Sequence, residues 1–324
     1  MKHTSDSKST LCSTLSSSNG EDLGGSAPSW TNLLVFELAL PWKESIHANH
    51  NFPKQVSDLL YETNLSGEET RLQCIAPDPD YSSSGTRVML FTKPRKPFSV
   101  YNKLEFQVPD NLLIFLIETL LTQGDLRPFD SYRNHAVTRD ILVCTHGSHD
   151  VCCASLGYPI YQSLKKEKSP PSNAQLRIWR TNHVGGHRFA PNIIDMPEGR
   201  MWARLNAGNI KSWLARTRPA NTFKKFYRGW AAMNSPYLQT AEREILATEN
   251  WDWTKQIIQT ARQKLNNNKN HASLIIRATS HSDKTNSTYT ATVEMTGTVP
   301  KIDCITGKNT GEYNQYAVRE LLVE

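Results

Sequence analysis

The sequence lacks the marks of a membrane protein, a disulfide-stapled secreted domain or a C-x-x-C oxidoreductase. Its most apolar runs, residues 32–40 (NLLVFELAL) and 111–121 (NLLIFLIETLL), fall well short of the roughly 20 residues a spanning helix needs. Six cysteines in 324 residues, three of them scattered at Cys12, Cys74 and Cys304, do not make a dense disulfide framework. The first twenty residues, MKHTSDSKSTLCSTLSSSNG, contain neither an apolar core nor an arginine. Neither a secretory signal nor a transit peptide is therefore expected. Residues 1–28 read as a flexible polar leader, and a reducing cytoplasm is the expected setting. Excess charge is modest, 37 basic against 31 acidic residues for a net +6. Part of it falls at Lys211, Arg216, Arg218, Lys224, Lys225 and Arg228. That stretch reads first as a solvated helical face, and second as a surface that steers an acidic partner. Neither membrane association nor a nucleic-acid role is expected.

What is present is a mixed α/β pattern. Apolar runs at 33–40, 71–75 and 88–91 read as strands, 100–108 as a further strand, and Pro109-Asp110 opens an apolar helix to about 122. An N-terminal α/β domain over 29–126 follows. The run 140–144 is a short buried strand delivering Cys144 into a loop. Asp150 is a good helix cap, Pro159 sits near the first turn of a second helix, and Ser169 to Asn173 (SPPSN) is a loop before a strand at 175–179. This second unit, 127–218, repeats the strand–helix–strand order, so the two units read as distant structural copies. Residues 219–324 read as a helical segment followed by a hairpin of 272–279 and 288–299 about the turn HSDKTN.

The chemistry is concentrated in two stretches, CTHGSHDVCC (144–153) and HVGGH (183–187). Three cysteines and four histidines fall within these 44 positions, while the rest of the chain has three cysteines and six histidines. A chain this long needs no metal to fold, so a metal here would be functional. Two cysteines and two histidines hold tetrahedral zinc, or a 2Fe-2S cluster with two cysteines on one iron and two histidines on the other. Eight residues separate Cys144 from Cys153 and 29 separate Cys153 from His183, which is not zinc-finger spacing. HVGGH lacks the glutamate of the zinc-protease helix, and its two glycines would cost about 2 kcal/mol in a helix interior. It is therefore a loop, tight enough to approach a bulky inorganic group. Cys152 and Cys153 diverge by about 100° on a helix, so only one reaches a shared metal, and composition does not choose between them. A vicinal redox pair or a Cys–His nucleophile are the metal-free alternatives.

The two stretches together, C-x-H-G-x-x-D-x-C-C and H-x-G-G-H-x-F-A-x-N, resemble the sucrase/ferredoxin-like family, which is related to the thioredoxin-like 2Fe-2S ferredoxins. GEDLGGSA (20–27) resembles that family's leader. The likeness is strongest over 143–192 and extends over 20–215. It implies a thioredoxin-like ferredoxin domain whose 2Fe-2S cluster is held by Cys144, Cys153, His183 and His187, with Cys152 as a packing neighbour. His149 departs from the arginine of many relatives. The implied function is one-electron transfer or redox sensing with an unidentified redox partner protein. Sucrase chemistry is not implied, because glycoside hydrolysis commonly uses two flanking carboxylates and only Asp150 and Asp195 are near.

Overall fold

The computed structural model describes residues 12–65, 69–167, 175–302 and 308–324; residues 1–11 and the SPPSN loop lie outside these ranges. The expected flexible leader is corrected from Cys12 onward. Cys12–Ser18 forms a short helix, α1, and the residues after it are pinned. Glu21 accepts from Ser16 at 2.5 Å and from Arg188 at 2.8 Å, while Arg243 holds Asp22.

Strand β1 (Asn32–Glu37) is buried along its whole length, as a central strand must be when both sheet faces are covered. Helix α2 (Lys54–Leu65) carries the chain over to β2 (Thr70–Ile75), parallel to β1. Strands β3 (Thr86–Thr92) and β4 (Asn102–Val108) then add antiparallel on the other side, and α3 (Leu113–Leu121) follows. Side chains of β1 alternate between faces. Leu34 and Phe36 meet Val56, Leu60, Leu116 and Ile117 of the helices, whereas Leu33 and Val35 enter the larger core.

The second unit repeats this order. Strand β5 (Arg139–Cys144), helix α4 (Val151–Glu167) and β6 (Leu176–Thr181) form a parallel crossover. Strands β7 (Asn192–Met196) and β8 (Arg200–Ala203) are the antiparallel additions. Both units share the thioredoxin-like strand order: the third and fourth strands lie on one side of the first, and the second strand on the other. The expected break at Pro159 is absent, and α4 runs through it. An interior proline costs about 3 kcal/mol, but Cys153, Gly157, Ile160 and Leu164 form one uninterrupted buried stripe along the helix.

The two units meet edge to edge through a single pair, Ile75 with Thr181, in a nine-stranded sheet. The sheet folds back at this joint, because Leu33, Val35, Met89 and Phe91 share a core with Ile141, Val143, Ile178 and Ile193. A buried ionic seam crosses the same interface. Glu105 on β4 takes two bonds from Arg177 on β6 at 2.7 Å, and Asp140 on β5 binds Arg177 at 2.7 Å and Lys103 at 2.8 Å. Short helix α5 (Ile210–Leu214) leads to β9 (Tyr227–Trp230), the last strand of the large sheet. That sheet thus extends past residue 218.

Helix α6 (Pro236–Glu249) starts on Ser235, whose hydroxyl accepts from the Leu238 N–H at 3.1 Å. It is buried on nearly all sides, because it lies between the large sheet and a second sheet. The second sheet is β10 (Ile257–Leu265), β11 (His271–Thr279), β12 (Asn286–Ile302) and β13 (Asn309–Val323), paired antiparallel in that order. It contains the expected hairpin about HSDKTN. No helix among the described residues is long and apolar enough to cross a membrane.

Candidate metal centre

Strand β5 ends at Cys144 and α4 begins seven residues later, with the Asp150 carboxylate accepting the Cys152 N–H at 2.8 Å. This cap sets the helical phase. Cys153 points into the main core beside Cys144, while Cys152 points the other way, against Cys12 and Ala190. A ligand atom of Cys144, one of Cys153 and one of His183 lie within 4.8 Å of one another, and Cys153 Sγ is 3.6 Å from His183 Nδ1. Both sulfurs are fully buried.

Donation from the Cys153 thiol holds Cys144 well below the usual thiol range, with His183 and the His146 N–H acting in the same direction against burial. Cys153 is pushed up by that same contact with Cys144 and by burial. Burial also raises Cys152, which accepts N–H groups from Ser13 and Cys12.

His187 stands one ring away, its centroid 6.0 Å from that of His183. Its Nδ1 is 3.6 Å from Asp150 Oδ2, and it groups with Asp150 and Cys12 rather than with the trio. Cys12 is disulfide-bonded, and a metal ligand is a thiolate, so this second group lacks a competent sulfur in this state. Cys74, Cys144, Cys152 and Cys153 are free. Of the four residues singled out from the sequence, three converge and the fourth is adjacent.

The other two histidines of the first stretch have structural work. His146 Nε2 lies 2.7 Å from the Lys43 carbonyl, and its Nδ1 accepts the His183 N–H at 3.2 Å. A carbonyl only accepts and an N–H only donates, so the ring is neutral with its proton on Nε2. Burial lowers its pKa in agreement. His149 stacks on His183 with centroids 4.0 Å apart and meets the Glu44 carbonyl at 3.2 Å.

The glycines of HVGGH adopt φ +87° at Gly185 and +76° at Gly186, the left-handed region that glycine enters without strain. Three successive carbonyls of this loop are held. Val184 O accepts from Arg71 at 2.8 Å, Gly185 O from Arg228 at 2.9 Å, and Gly186 O from Asn192 at 2.8 Å. A Cβ at Gly186 would lie 2.9 Å from Arg228 Nη2. Arg71 and Arg228 are the residues that sequence reasoning missed. Asn192 had a signal, as the last position of the H-x-G-G-H-x-F-A-x-N pattern. Arg228 belongs to the basic stretch that reads, in the sequence, as a solvated face. It is instead buried, and burial with repulsion from Arg188 and Arg71 lowers it to about 9, still cationic at neutral pH.

The rest of that basic stretch is largely committed. Lys211 pairs with Glu167 at 3.3 Å, Arg216 with Glu198 at 2.5 Å and Lys224 with Glu244 at 2.6 Å. Asp195 is buried against Arg139 at 2.8 Å, so it does not form a free carboxylate pair with Asp150.

The family model described as sucrase/ferredoxin-like matches residues 23–229. The altered inheritance of mitochondria protein 32 of Meyerozyma guilliermondii is 23% identical over 208 residues, 54% of this chain and 71% of that one. Among solved structures, a thioredoxin-like 2Fe-2S ferredoxin from Aquifex aeolicus aligns with 25% of this chain and 80% of its own, at 15% identity and a TM-score of 0.22.

Proposed function

Since the chain belongs to the sucrase/ferredoxin-like family, we propose that it binds a 2Fe-2S cluster for one-electron transfer or redox sensing, held by Cys144, Cys153, His183 and His187. The observation that carries this reading is the convergence of Cys144, Cys153 and His183 within 4.8 Å, at the junction of a strand end, a helix start and the HVGGH loop. The donor set fits the group: two thiolates suit one iron and two neutral imidazoles the other. When bound, the cluster supplies reversible one-electron chemistry.

The protein's own residues do the remainder. Burial of both sulfurs excludes water from that end of the site. The Asp150 cap aims Cys153 inward, and His146 ties the His183 backbone to the 144–146 turn and to Lys43. An imidazole whose Nδ1 faces a carboxylate, as His187 faces Asp150, keeps Nε2 available for a metal. The partner in this proposal is a redox protein, and the setting is the cytoplasm. Cell fractionation checks the latter, a mitochondrial location being the opposing result.

A second reading, a structural zinc in an interaction module, draws on the same trio, whose compactness also suits a single tetrahedral ion. A metal-free thiol oxidoreductase draws less support, because Cys152 and Cys153 face apart. Visible absorbance, EPR of the reduced protein, and iron, sulfide and zinc analysis after anaerobic purification decide among them. About two irons per chain with a coloured oxidised state is the expected result. Colourless protein with stoichiometric zinc overturns it.

A further inference from the structure

Two cations grip the HVGGH loop from outside the second unit. Arg228, on β9, is 2% exposed, and its donors all go to neutral acceptors: Ser26 Oγ at 3.2 Å, Ser26 O at 2.6 Å, and Gly185 O and Asn192 Oδ1, each at 2.9 Å. Among the described residues no carboxylate forms an ion pair with it. Arg71, on β2, reaches Val184 O, and its Nε is buried without a hydrogen-bond partner among the described residues. A buried cation is costly unless a negative charge compensates it. Both guanidinium groups bond the backbone between His183 and His187.

We propose that Arg228, assisted by Arg71, is the built-in counter-charge of the metal centre: a positioning residue that holds the loop between the two histidines and favours the reduced, more negative state of the site. The inference rests on the cluster reading above. A 2Fe-2S site with two thiolates and two neutral imidazoles is formally neutral when oxidised. One electron from an external one-electron donor converts one ferric iron to ferrous and leaves the site singly negative, with no bond made or broken. A fixed positive charge in low dielectric stabilises that added charge, and salt screens it little.

The test is a mediated electrochemical titration of protein whose visible and EPR spectra already show the cluster. A colourless wild type ends the underlying reading, whereas a cluster-bearing wild type puts Arg228 alone under test. Arg228→Gln should favour the oxidised state at least tenfold, 59 mV for one electron, at unchanged iron content. Arg228→Lys should return most of that shift. Arg71→Gln should shift the equilibrium in the same direction by a smaller factor. An Arg228→Gln potential within twofold of wild type overturns the inference. So does an Arg228→Lys variant displaced as far as Arg228→Gln, since loss of loop geometry alone produces that result. If Arg228→Gln holds no iron, Arg71→Gln carries the measurement, and a wild-type potential there overturns the inference. Iron lost equally from Arg228→Lys and Arg228→Gln also overturns it, while iron kept by Arg228→Lys alone among the three supports it.

Discussion

Replacing Gly157 by alanine tests whether the approach of α4 to β5 sets the metal centre. Gly157 lies one helical turn after Cys153 on the same buried stripe. A Cβ built there overlaps the Cys144 carbonyl oxygen and falls 3.1 Å from its carbon. Strand β5 is paired on both sides, with β6 and β7, so the helix rather than the strand must yield. Restoring ordinary contact requires α4 to retreat by on the order of 1 Å. Overpacking costs about 1–3 kcal/mol, and a rigid backbone neighbour puts this case toward the upper end. Alanine regains about 1 kcal/mol of helix propensity. The net loss is about 1–2 kcal/mol, or about 1.5–3 °C in Tm for a chain of this length. The same retreat carries Cys153 away from Cys144, so iron content should fall further than the modest loss of stability implies. Differential scanning calorimetry with iron determination per chain reads both quantities. A variant that melts at or above the wild-type temperature with full iron would refute the close-approach argument.

Four other substitutions probe the site and the seam. Cys144→Ser and Cys153→Ser should each abolish or strongly deplete bound iron, while Cys152→Ser, whose sulfur faces Cys12 and Ala190, keeps it; iron analysis showing the reverse for Cys152 and Cys153 refutes the assignment. Burial raises the Glu105 carboxyl, but bonds from Arg177 and the charges of Arg177 and Lys103 outweigh it and bring it from 4.5 to about 2. A depressed carboxylate contributes stability that is fully present above the unfolded value and lost as pH falls through the folded one. The wild type should therefore lose stability from about pH 4.5 downward to about pH 2. Glu105→Gln should cost about 3–5 kcal/mol near neutrality by leaving Arg177 undercompensated and should flatten the acid slope. Denaturant unfolding at a series of pH values checks this, and parallel slopes would count against the seam.

The elements that chemistry makes local were legible in the sequence. Cys144 at a strand end, Asp150 as a cap, the HVGGH loop with its left-handed glycines and the divergence of Cys152 from Cys153 all follow from periodicity or from the needs of one residue type. The continuity of α4 was not legible, because the penalty at Pro159 is local while the buried stripe that outweighs it depends on what the helix meets. The leader misled for the same reason: its serines and glycines read as solvated, yet Glu21 and Asp22 are held by Arg188 and Arg243, both far along the chain. Arg228 looked like one cation of a surface patch and Arg71 like the start of a strand, and only the folding back of the sheet brings them to one loop. The Cys–His convergence was anticipated as a set of four; the placing of His187 beside Asp150 depends on a ring orientation that spacing does not encode.

The first unit supports the centre in two chemically different ways, and these imply different tolerance to sequence drift. Lys43 and Glu44 offer only backbone carbonyls, to His146 and His149, so their side chains are free to vary among relatives without disturbing the contact. The constraint passes instead to Asn49, whose side chain accepts the Lys43 N–H at 2.7 Å and holds that turn in place. Arg71 contributes the guanidinium itself. Relatives that lose it should show a compensating cation or a shortened loop near 184, so covariation between these positions would record a partnership that spans 113 residues of chain.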